Sequence, residues 1–202
     1  MVTDYYQILQ KLWRHRPKTV EEALMNCGFG LKHLGSGSYR DVYQIINATH
    51  PLVLKFPRTK WTKEDCPNGD VDVDWYPTHV AHARTEYNVI NQINFTEEEA
   101  VKVLIPHMPT IHWFDYQHGV MLMEFYRPTG SEHAVEIRHV RSKVKKALNR
   151  TGDVWPSNTG VDSRNNVIIL DLGMVYEQKA EENERPVPAA DVPHNIDPLR
   201  RT

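Results

Sequence analysis

Apolar residues recur at the spacing of an α-helix near the start of the chain. Between residues 4 and 16 this face holds Ile8, Leu9, Leu12 and Trp13. Residues three or four apart share one face of a helix, so the pattern predicts a helix here. A second short helix is predicted next, because Thr19 and Glu22 form a capping-box pattern and Gly28 can end it. We therefore expect residues 1–29 to form a helical N-terminal extension.

From residue 30 onwards, short apolar runs bounded by turn residues replace the helical pattern. Such runs predict strands, and the three that come first are 31–34, 42–46 and 52–56. The stretch 57–79 is interrupted by prolines and a glycine and is interpreted as an inserted loop. The elements predicted after it are helices over 80–93 and from Thr96 to about 104, and strands near 110–115 and 120–125.

One longer helical pattern follows, over residues 132–149. Its apolar face consists of Ile137, Val140, Val144 and Leu148. A hairpin is predicted after it, with Asn165 and Asn166 at the turn. The tail, residues 178–202, is rich in proline and charge and is expected to be extended or disordered.

Composition adds a few exclusions to this picture. The chain is 40% hydrophobic and 25% charged, which is ordinary for a globular protein. With 24 Lys and Arg against 26 Asp and Glu, a dedicated nucleic-acid binder is not expected. No apolar run reaches the roughly 20 residues that span a bilayer, and the first residues do not resemble a secretory signal. With only two cysteines, a cytoplasmic protein without a membrane partner is expected.

Two features point to phosphate chemistry. Gly35 and Gly37 lie in a turn between two predicted strands, where a backbone without side chains can approach phosphate oxygens closely. Lys55 ends the apolar strand that follows. A lysine at the inward end of such a strand is costly to bury unless it meets an anion.

A second set of polar residues lies near the end of the predicted core. Asp153 and Asn158 flank a short loop, and Asp171 comes directly after the apolar run 167–170. Carboxylate and amide oxygens are ligands that Mg²⁺ prefers in sites completed by phosphates and water. A further carboxylate nearby could orient an attacking hydroxyl group.

Two other metal sites are considered and not favoured. His79 and His82, with Cys66 upstream, could bind Zn²⁺, but a fourth ligand is not evident. The acidic run 70–74 resembles the opening of a calcium loop, but it lacks the glycine and glutamate that such a loop needs. The plain interpretation is solvated or cleft-facing histidines and an exposed acidic turn.

Taken in order, these motifs resemble the protein-kinase-like superfamily over about residues 30–175. The glycine turn with Val42, the strand lysine, the Asp153–Asn158 loop and Asp171-Leu-Gly follow the order of the family's motifs. The resemblance implies an α+β, bilobal protein-kinase-like fold. An antiparallel-sheet N-lobe with a helix and the hinge would span 30–126, and a reduced, mainly helical C-lobe would span 127–177.

The resemblance also implies roles and cofactors, namely ATP and Mg²⁺. The residues that it assigns to the nucleotide are Gly35, Ser36, Gly37, Val42, Lys55, Glu86, Met123, Glu124 and Tyr126. Lys55 would hold phosphates and pair with Glu86. Asp153 would orient the acceptor hydroxyl, and Asn158 and Asp171 would hold Mg²⁺.

The chain departs from the family pattern at several positions. Arg40 replaces the third glycine of the turn, and Thr151-Gly152 replaces the usual His-Arg before the catalytic aspartate. Trp155 stands where many members carry lysine and is expected to pack beneath the loop. The inserted loop makes Glu64 a second candidate partner for the lysine. Few residues follow Gly173, so the lower lobe would lack the usual peptide-binding helices.

These observations lead to two expected functions. The first is an ATP-dependent phosphotransferase, like an atypical serine/threonine kinase, that acts on a protein hydroxyl. The alternative is a pseudokinase-like module that binds nucleotide and docks to a protein partner. A small-molecule acceptor is a third possibility, because Gly152 before Asp153 is also seen in aminoglycoside-phosphotransferase-like proteins.

Overall fold

The computed structural model of the protein describes residues 3–59, 74–148 and 154–172. Within them the fold is α+β, with five α-helices and an antiparallel five-stranded sheet beside a smaller one. The helices are α1 (Tyr5–His15), α2 (Val20–Cys27), α3 (Tyr76–Asn94), α4 (Glu99–Lys102) and α5 (Ala134–Leu148). The strands are β1 (Leu31–Ser36), β2 (Arg40–Ile45), β3 (Leu52–Pro57), β4 (Ile111–Asp115), β5 (Val120–Glu124), β6 (Arg127–Pro128), β7 (Thr159–Val161) and β8 (Val167–Ile169).

The two N-terminal helices begin and end where their sequence signals predict. The Thr19 hydroxyl accepts a hydrogen bond from the Glu22 backbone N–H at 3.2 Å, which caps α2. The Glu22 carboxylate accepts a hydrogen bond from the backbone N–H of Lys18. A capping box predicts the N–H of Thr19, the next residue, as the donor. Gly28 ends the helix with a φ of 63°, in the left-handed region that favours glycine.

The larger sheet has the strand order β1-β2-β3-β5-β4, with every neighbouring pair antiparallel. This places β3 in the centre, and all six of its residues are buried. In the registers of β3 with its neighbours, Lys55 lies opposite Val42 on one side and Met121 on the other. Directly opposed residues point to the same face of a sheet, so all three side chains share one face.

The other face of the sheet is covered by α1 and α2. Its core combines apolar residues from both helices with alternate residues of the strands. The fully or almost fully buried members are Ile8, Leu12, Ala23, Leu52, Leu54, Val120 and Leu122. The helical N-terminal residues therefore close one side of the sheet and leave the Lys55 side for α3 and the smaller sheet.

The smaller sheet, with order β6-β7-β8, packs with α3 and α5 around a second core. Helix α5 contributes Ile137, Val140 and Val144 to this core, at the spacing that its sequence predicts. The predicted hairpin is present as β7 and β8, and Asn165 adopts a positive φ of 66° in the turn. Strand β6 begins two residues after β5 ends, so the smaller sheet starts close to the end of a central strand of the larger one.

Some boundaries differ from the sequence-based expectation. Helix α3 begins at Tyr76, within the stretch interpreted as a loop, because Pro77 lies in its first turn, where the missing N–H costs nothing. Strand β6 was not predicted, since two residues carry no alternation. The rest of the expected insert and the tail lie outside the described residues. Among the helices described, none is both long and apolar enough to cross a membrane.

Candidate functional site

A cleft of about 630 Å³ lies between the β1–β2 turn and the smaller sheet. This volume is within the usual range of small-molecule sites. Of the positions that the sequence assigned to a nucleotide or metal, the cleft is lined by Gly35, Ser36, Gly37, Val42, Lys55, Met123, Glu124, Tyr126, Asn158 and Asp171. Residues from distant parts of the chain thus border one cavity.

The glycine turn forms one wall of the cleft. The Gly37 N–H donates to the Arg40 carbonyl at 2.8 Å and closes the turn. A Cβ added at Gly35 would meet no atom within 4 Å, and Gly35 is not among the residues with positive φ. Neither backbone geometry nor crowding within the described residues requires glycine there. A ligand lying close to this backbone would require it.

Apolar side chains line the inner part of the cleft beside the chain segment that leaves β5. Val42, Val53, Met123 and Leu170 border this part. Such a slot suits a flat, mostly apolar ring.

Hydrogen bonds hold in place the last residue of β5 and the two residues after it. The Glu124 N–H donates to the Thr110 carbonyl at 3.1 Å, and the Phe125 N–H donates to the Pro51 carbonyl at 2.8 Å. The Tyr126 hydroxyl accepts from the Thr110 N–H at 2.8 Å. These three residues are thus bonded to Pro51, which precedes β3, and to Thr110, which precedes β4.

Lys55 lies at the inner end of the cleft and is 6% exposed. Its Nζ is 3.2 Å from Oε1 of Glu86, on α3, and donates to the Leu170 carbonyl at 2.5 Å. Burial, and next the nearby Arg40 charge, lower the pKa of Lys55 to about 7, while Asp171 acts in the opposite direction. The structure therefore brings together the lysine and the glutamate that the sequence paired. Glu64, the other candidate, is outside the described residues.

Arg40 is the residue whose place in the cleft the sequence analysis missed. It is 4% exposed, and its guanidinium forms one ion pair with the fully buried Glu86 and another with Asp171, whose Oδ1 is 3.2 Å from Nη2. A signal was available. Arg40 lies two residues before Val42 on β2, and side chains two apart share a face, so Arg40 and Lys55 project from the same face.

Asn158 and Asp171 lie at adjacent positions of the cleft edge. The Leu170 N–H donates to the Asn158 carbonyl at 2.8 Å, which joins the loop before β7 to the residue before Asp171. Both side chains carry oxygen donors that suit Mg²⁺. The charge around them is less suitable, because the Arg40 guanidinium already contacts an Asp171 oxygen. Asp153, the third residue of this expected set, lies outside the described residues.

Two further expectations concern aromatic and histidine side chains. Trp155 does not pack beneath a loop: it is 48% exposed and lines the cleft mouth, with the Arg141 guanidinium 4.1 Å from its ring centroid. A charged partner on α5 makes this exposed position favourable. The Nδ1–H of His79 donates to the Arg58 carbonyl at 2.7 Å, and the His82 ring stacks on the ring of Tyr39. Cys66 lies outside the described residues.

Neither a scan against protein-family models nor a search of curated proteins found a match to this chain. The function is therefore argued from the residues of the cleft.

Proposed function

We propose that this protein is a nucleotide-dependent phosphotransferase of the protein-kinase-like type, with ATP as phosphoryl donor and a protein hydroxyl as acceptor. The observation that carries the proposal is the buried Lys55–Glu86 pair, with 3.2 Å between Nζ and Oε1, at the inner end of a cleft bordered by a glycine turn. A buried ammonium group beside an open cavity suits an anionic ligand. The five-stranded sheet with α3 and the smaller sheet with α5 would then be the two lobes of a bilobal fold.

Each part of a nucleoside triphosphate has a suitable surface in the cleft. The apolar slot at Val53 and Met123 would take the base, next to the segment Glu124–Tyr126. The phosphates would lie along the glycine turn, toward Lys55. Phosphoryl transfer requires mainly positioning and charge neutralisation from the protein, which this set of residues can supply.

Asn158 and Asp171 are the residues that would hold Mg²⁺, and the metal would supply neutralisation of charge on the transferred group. Asp153 would orient the acceptor hydroxyl. The aromatic ring of Trp155 at the cleft mouth, with Arg141 against it, offers a surface for the acceptor beside the site of transfer.

A second candidate function has an observation of its own. The Arg40 guanidinium already contacts Oδ1 of Asp171, so that oxygen is less available to a metal ion. This favours a pseudokinase-like module that binds nucleotide and acts by docking to a protein partner.

Incubation of the purified protein with labelled ATP and Mg²⁺, alone and with cell extract, distinguishes the two functions. Incorporation of label that Asp153→Asn and Asp171→Asn both abolish would support the phosphotransferase. Equal incorporation by those variants would contradict it. A rise in melting temperature with ATP, without any transfer, would favour the binding module, because a ligand that binds only the folded state stabilises it by about 2.7 kcal/mol at 100 times Kd.

A further inference from the structure

Arg40 is the feature of the cleft that the proposed function does not use. Its side chain is almost fully buried, and it lies between two carboxylates that come from different parts of the fold, Glu86 on α3 and Asp171 after β8. Burying a charged pair is weak support for stability, since an apolar replacement of similar volume often serves as well. A functional reason for a cation at this position is therefore worth testing.

Four charged side chains are linked at the inner end of the cleft, two cations and two carboxylates. The cations Lys55 and Arg40 share the Glu86 carboxylate, with the ammonium near Oε1 and the guanidinium on Oε2. Asp171 contacts Arg40 through Oδ1. A divalent cation on Asp171 would sit beside the guanidinium that already contacts Oδ1, and the two positive charges would repel each other. Arg40 and a metal ion therefore compete for the same carboxylate.

Arg40 can also reach a ligand. It lines the cleft, and its backbone carbonyl closes the turn that carries Gly35 and Gly37. An arginine has more N–H donors than these two carboxylate contacts use, and its planar group suits phosphate oxygens. Arg40 and Lys55 project from the same face of the sheet as Gly35, which lies opposite Val42 and has open space where a side chain would stand.

We propose that Arg40 is a phosphate-binding residue that stands in for the metal, so that the cleft binds nucleoside polyphosphates without a divalent cation. The inference rests on the nucleotide-binding part of the proposed function, and it favours the binding module over a phosphotransferase in which Asp171 holds Mg²⁺. The phosphates would be held between the Arg40 guanidinium, the Lys55 ammonium and the backbone at Gly35. Asp171 then positions the guanidinium instead of a metal.

The test is calorimetric titration of the purified full chain with ATP and with ADP, once in EDTA and once in excess MgCl₂. We expect the two dissociation constants of the wild-type protein to agree within about threefold. Arg40→Gln should weaken binding in EDTA at least tenfold, and should bind better with Mg²⁺ than without it because Asp171 is released. Arg138→Gln, which removes an exposed arginine on α5, is the matched control and should bind as the wild type does.

Two further variants keep the test decisive if Arg40→Gln folds poorly. Arg40→Lys preserves the charge and should keep most of the binding in EDTA. Asp171→Asn removes one of the two carboxylates on Arg40 and weakens any metal site. Because Glu86 still holds the guanidinium and a negative charge beside the phosphates is lost, this variant should bind nucleotide in EDTA at least as well as the wild type.

The remaining outcomes separate this inference from the proposed function. Wild-type binding that is more than tenfold weaker in EDTA than in Mg²⁺ would overturn the inference and leave the nucleotide site intact. Equal binding by the wild type and a folded Arg40→Gln in EDTA would also overturn it. An absence of nucleotide binding by the wild type under both conditions would overturn the proposed function, and the inference with it.

Discussion

Nucleotide affinity should depend on pH through Lys55. Burial first, and the charge of Arg40 second, lower the pKa of Lys55 to about 7, so above neutral pH the free protein holds it largely uncharged. A polyanionic ligand beside the ammonium raises that pKa, because an opposite charge favours the charged form. Binding above pH 7 therefore takes up a proton, and affinity falls as the pH rises.

The size of the effect follows from that pKa. While the lysine stays protonated in the complex, each pH unit well above 7 weakens binding about tenfold, or about 1.4 kcal/mol. Between pH 7 and pH 9 the dissociation constant should rise about fiftyfold. The terminal phosphate of the ligand titrates near pH 6, below this window.

Titration calorimetry with ADP, at steps of half a pH unit from pH 7 to pH 9, measures the dissociation constant. Repeating the titrations in buffers of different ionisation enthalpy measures the number of protons taken up on binding. Lys55→Arg is the control, since an arginine stays charged throughout and its profile should be flat. A flat wild-type profile, or an equally steep profile in Lys55→Arg, would refute the reasoning.

The same pKa has the opposite consequence for folding of the free protein. Its folded-state value lies below the usual lysine value of 10.5, so the unfolded chain binds the extra proton between these two values. The free energy of unfolding should therefore rise from pH 7 to pH 9, by up to about 1.4 kcal/mol per pH unit. Urea unfolding of Lys55→Met should lack this rise.

Three other substitutions have defined expected outcomes. Gly35→Ala should leave the urea midpoint unchanged or slightly higher, because the added methyl group meets open space. The same variant should bind nucleotide more weakly in calorimetry, and an unchanged affinity would argue against phosphates at this turn. Glu86→Gln should cost about 3–5 kcal/mol in urea unfolding, since it leaves buried cations without their shared carboxylate, and a loss below 1 kcal/mol would contradict the burial argument. Ile137→Ala should cost about 2–5 kcal/mol, whereas the exposed Val135→Ala, on the same helix, should stay within about 0.5 kcal/mol; similar losses would contradict the assigned helix face.

Much of the fold follows from local pattern. The central strand β3 could be predicted because an apolar run interrupted only by Lys55 suits a strand buried on both faces, and α5 because its apolar residues repeat on one side. The start of α3 was missed although the signal existed: Pro77 was taken as a loop residue, but proline is also frequent in the first turn of a helix.

The site was less predictable than the fold. Lys55 could be singled out from the apolar strand that it ends, whereas Glu86 and its pairing with Lys55 came from the resemblance, with Glu64 as the alternative. The partners of Arg40 could not be found this way, since they depend on how α3 and the residue after β8 meet in space. Alternation along β2 gives only the face on which Arg40 lies. The exposure of Trp155 likewise depends on Arg141 from another element.

The contacts that hold the cleft charges together have a consequence for the order of folding. Lys55 and Leu170 are 115 positions apart in sequence, and Arg40 and Asp171 are 131 apart. Closing loops of this length is entropically costly and slows the contacts that require it. The hairpins of the larger sheet can form from neighbouring segments. The set of linked charges, Arg40, Lys55, Glu86 and Asp171, is complete only when β7 and β8 have packed against that sheet. Substitutions in this set should therefore speed unfolding much more than they slow refolding.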